Sequence, residues 1–259
     1  MALAALLLGT APLSAEARLD VGGSVEVTEG GIHVQVDLRN GGDAPATAVN
    51  VEGELMESQA QAQVLGIPAG ESRSIALRFP GGAPRPGVHA LVLLLDYTAT
   101  GPSGPTPVSQ RAYLLLALGE RAEPAVRLSV GEARMTWSGL VDVSLESADG
   151  APHRVRLRID GPRGFRVDNP PHEVDVPALG TVTAKVRVFR GTVPWASRQG
   201  ILAVGMATDG PLARTTVATG IVQILPDPAW MPRLRRPLWA LALALLGLAI
   251  LLEARRRLG

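Results

Sequence analysis

The sequence predicts an all-β protein of two tandem β-sandwiches, with an uncharged apolar segment near each end of the chain. Three observations lead to this prediction. Apolar and polar residues alternate with a period of two through much of residues 18–226, which is typical of strands with one buried face. Glycine and proline, 29 and 21 of the 259 residues, recur between these runs, where turns need them. The two end segments lack the alternation.

Residues 1–17 have the pattern of a secretory signal peptide. Residues 2–8 form a short apolar stretch, and the small residues Ala15 and Ala17 define a cleavage site before Arg18. No basic residue precedes the apolar stretch, so an uncleaved leader is the alternative. Cleavage and export are the prediction.

The first module occupies residues 18–119. Its clearest alternation lies at residues 32–38, where four aliphatic side chains alternate with polar ones. Segments rich in Gly, Pro, Asn and Asp separate the runs and predict turns. About seven short strands at this spacing are typical of an immunoglobulin-like sandwich. The runs that locate strands are residues 32–38, 49–55, 75–79, 89–97 and 112–118.

The second module occupies residues 120–226 and repeats this layout. A short polar segment closed by Pro124 forms the boundary, and so short a linker predicts a semi-rigid tandem rod. Strands are predicted at residues 126–130, 140–145, 155–159, 174–176, 182–189, 201–207 and 215–224.

Both modules resemble known bacterial families. The first, with "VDLRNGGDAPATAVNVEGEL", "IPAGESRSIALRFP" and "PGVHALVLLLDY", resembles the cell-adhesion-related CARDB modules over residues 19–118. The second, with "VRLRIDGPRGFRV" and "VDVPALGTVTAKVRV", is similar to the NPCBM-associated immunoglobulin-like domain. These resemblances imply an immunoglobulin-like fold in an envelope protein, and they bring no catalytic residue.

Residues 238–252 predict a transmembrane helix. Fifteen uncharged residues give a helix of roughly 22 Å, and flanking Arg and Trp side chains extend the effective span toward the roughly 30 Å hydrocarbon core. A buried core helix is the alternative. Residues 227–237 form a Pro/Arg-rich stalk, and residues 253–259 a short basic cytoplasmic tail. The anchor is flanked by Arg235, Arg236, Trp239, Arg255, Arg256 and Arg257.

Together the leader and the anchor predict a single-pass protein of the bacterial cytoplasmic (inner) membrane. Since Arg residues stand on both sides of the anchor, the leader decides the orientation. The two modules then face the periplasm or the cell exterior. Bias toward Arg, with Lys185 as the only lysine, indicates a high-GC bacterial genome.

Composition excludes several classes of function. The chain has no cysteine, so a disulfide framework, a thiol nucleophile and a Cys-ligated metal are excluded. Residues 18–232 carry 19 basic and 22 acidic side chains, a net charge of −3, so no general attraction to nucleic acid is expected.

The sequence contains no recognisable catalytic, cofactor or metal-binding motif. Nucleophile-elbow, zincin, P-loop and dinucleotide-binding patterns are absent. No two histidines have the spacing that places them on one strand or helix face, and the acidic residues lack a calcium-loop pattern. We therefore predict no enzyme, no cofactor and no metal. The residues considered are His33, His89, His153, His172, Asp142, Glu146, Asp168, Asn169, Glu173 and Asp175.

Two features are candidate binding surfaces. Arg154, Arg156 and Arg158 alternate with aliphatic residues, so their guanidinium groups line one outer face that suits an anionic polysaccharide, a lipid headgroup or an acidic partner. A solvated face without function is the alternative. Trp195, in a Pro-containing loop, is either a binding residue or a plug at the end of the sandwich.

The sequence favours a non-enzymatic envelope protein that binds another envelope or membrane protein through its tandem modules, for instance as an accessory subunit of a transporter or assembly complex. The alternative is a carbohydrate or cell-wall binding module that uses the arginine face and Trp195.

Overall fold

A computed structural model describes residues 17–81, 85–101, 104–168 and 172–226, together with Trp239. All regular structure in these four ranges is β, which confirms the all-β prediction. The strands are β1 (Leu19–Thr28), β2 (Gly31–Asn40), β3 (Ala46–Leu55), β4 (Ser58–Ile67), β5 (Ser72–Phe79), β6 (Gly87–Gly101), β7 (Gly104–Leu118), β8 (Val126–Val130), β9 (Ala133–Met135), β10 (Ser138–Ser147), β11 (His153–Asp160), β12 (Arg166–Val167), β13 (His172–Val176), β14 (Thr181–Phe189), β15 (Arg198–Ala207) and β16 (Ala213–Ile224).

The two predicted end segments fall outside this description. Apart from Ala17, the predicted signal peptide is not among the described residues, and Trp239 alone represents the predicted anchor. The remaining predicted anchor flanks, Arg235, Arg236, Arg255, Arg256 and Arg257, also lie outside it. Within the described ranges, no helix has the length and apolar character needed to cross a membrane.

The strands form three sheets. One sheet has the order β1-β2-β5 and another has the order β12-β14-β10-β8. The third runs β13-β11-β15-β16-β6-β3-β4, with β7 added on β6 and β9 on β16. This nine-stranded sheet contains strands from both halves of the sequence. The described residues up to Ile224 form one compact unit.

Each half of the unit has its own apolar core. In the first, the alternation on β2 buries Ile32, Val34, Val36 and Leu38 against β3, β6 and β7. A separate core fills the second half between β10 and β14 on one side and β11 and β15 on the other. We call the two halves module one (β1–β7) and module two (β8–β16).

Asn40 anchors the turn that follows β2. Its side chain is fully buried, and its Nδ2 donates to the carbonyl oxygens of Ala44 and Ile67 at 2.8 and 3.0 Å. Its Oδ1 accepts from the backbone N–H groups of Arg18 and Gly42. The buried amide is therefore satisfied on both sides, as a polar group in a core must be.

The modules meet through the outer faces of their sheets. Val92 and Leu94 on β6 alternate with core-facing leucines, and both are buried although neither belongs to the first core. Leu202 on β15 is buried outside the second core in the same way. At one corner, β6 and β16 pair in parallel, with Gly87 opposite Ala213. The sequence predicted a tandem rod, whereas the contact between modules is face to face.

Candidate functional site

The arginine face of β11 lies against module one. Arg154, Arg156 and Arg158 do share an outer face, because the residues between them are buried in the second core. In β15 their register partners include Met206, opposite Arg156, and Val204, opposite Arg158. This mixed basic and apolar face turns toward β3 and β6, where acidic and apolar side chains also alternate.

Arg158 is held by two carboxylates. Its guanidinium makes a two-point contact with Glu54 on β3, with Nη2 2.7 Å from Oε2, and its Nε and Nη2 donate to Asp160 at 3.0 and 2.8 Å. Hydrogen bonds with Glu54 raise the pKa of Arg158 above its usual range. Because Glu54 belongs to module one, this pair connects the modules and leaves Arg158 occupied.

A second group of contacts extends the same interface. Arg163, just beyond β11, lies 2.7 Å from both Glu52 and Asp96 of module one. In the other direction, Arg111 of β7 donates from Nε to the carbonyl oxygen of Gly161 at 2.7 Å. The acidic outer face of module one thus complements the basic outer face of module two.

The other two arginines of the predicted surface differ from each other. Arg154 pairs with Asp175 at 3.0 Å, and both side chains are exposed. Within the described ranges, Arg156 has no ion pair, and its side chain is exposed. Of the three arginines, Arg156 is the one whose charge is available to a ligand.

Arg156 lines a cleft of about 740 Å³ between the modules. Its lining is mixed, since Phe79 and Val92 from module one and Met206 from module two contribute apolar surface. Glu57 lies at the same cleft with Arg156. Clefts of this volume, largely apolar with a few charged groups, are the usual shape of binding sites.

The β3–β4 turn forms one wall of the cleft. Met56, at the first turn position, has a φ of +57° and is 42% exposed. Two-residue hairpin turns have positive φ at their first central residue, so the turn itself accounts for this conformation and fixes the position of Met56 at the cleft. The flexible thioether side chain also suits a surface that adapts to a partner.

Trp195 lies elsewhere. Its half-buried ring packs against the second core and meets Trp137 edge to face, with 4.6 Å between ring centroids. The Arg190 guanidinium lies 3.8 Å from the Trp195 ring centroid and 5.1 Å from that of Trp137. Trp195 lies just before β15, which begins at Arg198, whereas Arg156 lies opposite Met206, eight residues further along β15. Eight residues of extended strand span roughly 26 Å. The structure therefore does not bring Trp195 and Arg156 into one site.

His153 forms a charged cluster at the other end of β11. Its Nδ1 is 2.7 Å from Asp209 and its Nε2 is 2.7 Å from Asp149, while Arg214 donates to Asp149 at 2.9 Å. No group of three or more metal-ligating side chains that could hold an ion occurs in the described part of the chain. The cluster joins the β10–β11 loop to the β15–β16 loop.

The cleft could not be located from the sequence. Met56, Phe79 and Met206 come from three distant segments, and each has the appearance of an ordinary strand or turn residue. The packing of module one brings Met56 and Phe79 together, and the contacts between the modules bring Met206 to them. The basic alternation on β11 was the one sequence signal that pointed to this region.

Comparisons with known proteins do not assign a family. The sequence matches no protein-family model and no curated protein. Among solved structures, it is similar to red sea bream transglutaminase (14% identity, 82% of this chain and 32% of that one, TM-score 0.28). It is also similar to trypsin-activated α2-macroglobulin from Escherichia coli (9%, 83% and 18%, 0.33) and to the YadV chaperone (14%, 72% and 91%, 0.28). The chain thus spans a third or less of the first two. Similarities of this size carry no functional argument.

Proposed function

We propose that this chain is a membrane-anchored envelope protein that binds another protein in the cleft between its two immunoglobulin-like modules, without catalysing a reaction. One observation carries the proposal: Arg156, unpaired among the described residues, lies in a largely apolar cleft that both modules build. The apolar lining suits a partner segment with apolar side chains, Arg156 suits a carboxylate of that segment, and Glu57 at the same cleft suits a basic group.

The surrounding contacts support a site with fixed geometry. Arg158–Glu54 and Arg163–Asp96 connect the two sides of the interface, so the cleft walls are connected by more than the linker. A preformed cleft loses less conformational entropy on binding than a mobile one. Binding through such a cleft suits an accessory subunit that docks on a transporter or assembly complex.

The envelope setting rests on the sequence. A signal peptide at residues 1–17 and an anchor at residues 238–252 would hold the modules at the outer side of the cytoplasmic membrane. The resemblance of the modules to CARDB and NPCBM-associated domains agrees with that setting. A glycan site made of Arg154, Arg156, Arg158 and Trp195 has less in its favour, because Arg154 and Arg158 are ion-paired and Trp195 packs elsewhere against the second core.

The proposal is tested by photo-crosslinking of the full chain in its native membranes. A photoreactive amino acid is placed at Val204, which lines the cleft, or at Leu140, which is 51% exposed on the outer face of β10. We expect one discrete protein adduct from the Val204 position and none from the Leu140 position. The same pattern at both positions, or no adduct at either, would contradict the proposal.

Charge reversal identifies the contribution of Arg156. Arg156→Glu should reduce the Val204 adduct by at least about fivefold, because it replaces an attraction worth on the order of 1 kcal/mol by a repulsion. Arg154→Glu on the same strand is the matched control and should leave the adduct unchanged, since Arg154 does not line the cleft. Equal effects of the two variants would rule out a cleft-specific role.

A further inference from the structure

The edge strand β4 differs from the other sheet edges in the described part of the chain. It is ten residues long, SQAQAQVLGI, with no charged residue and no proline. Natural sheets usually protect their edges with charges, prolines or short strands, since an open edge presents unpaired N–H and C=O groups. An edge of this length without such protection is therefore a candidate for pairing.

The remaining edges within the described ranges are protected. At the far side of the nine-stranded sheet, β13 has five residues and carries Glu173 and Asp175. In β7, Pro105 and Pro107 have no backbone N–H group, so they interrupt the row of hydrogen-bond donors along this edge. In the two smaller sheets, the edge strands β1, β5, β8 and β12 each contain at least one charged residue, and the three-residue strand β9 beside β16 contains Arg134.

The backbone of β4 is paired on one side. Its ladder to β3 runs from Ser58, opposite Leu55, to Ile67, opposite Ala46. No other strand joins it, and among the described residues the one further hydrogen bond to its backbone is at its end, where Asn40 donates to the Ile67 carbonyl oxygen. Ala60, Ala62 and Val64 pack against the first core but stay partly exposed. A further strand at this edge would bury them.

We propose that β4 pairs antiparallel with β4 of a second copy of this chain, which joins the two sheets across a twofold axis at Ala62. An antiparallel strand is complementary to itself under twofold symmetry, and twofold dimers are the commonest protein assemblies. In this register Ala60 faces Val64 of the second copy on the core side, and Gln61 faces Gln63 on the outer side. In this pairing, core-side residues of one copy lie beside core-side residues of the other, and outer residues lie beside outer residues. No like charges are placed opposite each other.

Absence of charge favours a second copy over a different protein. A strand that pairs with one different protein can carry charges that are complementary to that protein. A strand that pairs with its own copy places each residue near the twofold axis close to the same residue of the other copy. A charge at residue 62 would then face the same charge in the second copy, and a charge at residue 61 or 63 would lie close to its own symmetry copy. The neutral Gln-Ala-Gln centre of β4 removes that repulsion.

Disulfide trapping tests the pairing and its register, because the native chain has no cysteine. The full chain, solubilised in mild detergent, carries Ala62→Cys or, as the matched control on the same face, Ala60→Cys. Across the axis, two residues at position 62 have Cα atoms about 4.5–5.5 Å apart, within disulfide range. Two residues at position 60 lie about 13 Å apart along the strands. We expect disulfide-linked dimers from Ala62→Cys and at least about tenfold less from Ala60→Cys.

Paired charges then test whether the edge causes the dimer. Added to Ala62→Cys, the pair Gln61→Lys and Gln63→Lys should abolish trapping, because lysines would oppose lysines. The pair Gln61→Glu and Gln63→Lys should preserve it, because opposite charges would meet. Both pairs alter exposed side chains, and thermal unfolding verifies that each variant folds.

Three results would overturn the inference. Trapping of Ala62→Cys no stronger than that of Ala60→Cys would exclude the register, and trapping insensitive to the two lysines would place the contact elsewhere. A disulfide from position 62 to a different protein would make β4 a docking strand for that protein. None of these results bears on the cleft, so the inference and the proposed function stand or fall separately.

Discussion

His153 lies between two carboxylates in module two. Because each ring nitrogen lies 2.7 Å from a carboxylate oxygen, both nitrogens donate and the ring carries a positive charge. Burial lowers the pKa of His153, but the hydrogen bonds to Asp149 and Asp209 outweigh it and raise the pKa above the usual value. The hydrogen bond from His153 lowers the pKa of Asp149. Arg214 and the backbone N–H of Arg154 also face this cluster.

The cluster makes stability depend on pH. A histidine whose pKa is raised on folding stabilises the native state fully below its unfolded pKa of about 6.5, and this contribution is lost as the pH rises through the raised pKa. We expect His153→Gln to cost about 2–4 kcal/mol at pH 6 and less at pH 9. Thermal unfolding of the full chain between pH 6 and 9 measures the difference. His33→Gln is the control, and a His153→Gln effect that stays constant with pH would contradict the charged ring.

Acid has the opposite effect on the same cluster. The pKa of Asp149 is lowered on folding, so its contribution is present at neutral pH and is lost as the pH falls through the lowered pKa. The cluster therefore stabilises the two loops most in mildly acidic to neutral conditions. Both loops belong to module two, and the β15–β16 loop also touches module one, where Arg85 donates to Pro211.

At the scale of elements, the junction of β6 and β16 depends on one glycine. Gly87 has a φ of +130°, and a β-carbon there would overlap the backbone nitrogen and oxygen of Ala213. A side chain at this position must therefore separate the two strands. The Ala213 N–H, which donates to the Pro86 carbonyl at 2.8 Å, would lose its partner.

Gly87→Ala should cost about 3 kcal/mol or more, because the overlap involves backbone that cannot rotate away. Gly104→Ala is the matched control, since its φ is +98° and the space around it is open. It should cost about 1 kcal/mol from backbone strain alone. Denaturant unfolding gives both values, and hydrogen exchange at Ala213 reports the junction. Similar costs for the two variants would show that the strands separate easily.

Sequence periodicity located most strands but not all. On β2, four aliphatic residues alternate with polar ones, and the structure buries all four. On β4, alanine and glutamine alternate, and because neither favours strands the segment was not predicted. The strand β1 was not predicted either, because Gly22 and Gly23 interrupt its alternation and glycine does not favour strands. The two strands missed in module one are thus those with the weakest apolar signal, and one of them is the open edge.

For the site, the sequence predicted a face but not its surroundings. Alternation correctly placed three arginines of β11 on one side, since local geometry alone determines that. What lies opposite depends on how the modules pack, and residues 54 and 158 are too far apart in sequence for any local pattern to reveal their contact. Complementary charge on the two outer faces is visible only after the sheets are assembled.

At the scale of the whole molecule, the Arg158–Glu54 pair should couple the stabilities of the two modules. Both side chains are about two-thirds or more buried, so the two-point contact is expected to contribute on the order of 1–3 kcal/mol. A double-mutant cycle with Glu54→Gln and Arg158→Gln measures the coupling by denaturant unfolding. Arg154 and Asp175, 61% and 79% exposed, form the control pair and should couple by less than about 1 kcal/mol.

The outcome also distinguishes two descriptions of the unit. Coupling well above that of the control pair would mean that this contact between the modules contributes to the stability of the whole unit. Coupling indistinguishable from it would mean that this ion pair adds little to the interface, which would then depend on the buried apolar residues Val92, Leu94 and Leu202 and on the pairing of β6 with β16.

If the cleft binds a partner as proposed, the ion pairs between the modules affect the rate of association. Arg158 and Arg163 are bound to carboxylates of the facing module, so the cleft would already be formed when the partner arrives. Association would then be limited by diffusion and orientation, at typical rates of about 10⁵–10⁷ M⁻¹s⁻¹, and not by a slow opening step. Added salt would weaken the attraction between the exposed Arg156 and a partner. It would weaken the partly buried Arg158–Glu54 pair less, because partly buried pairs are screened less than exposed charges. Residence time, and not rearrangement, would distinguish good ligands from poor ones.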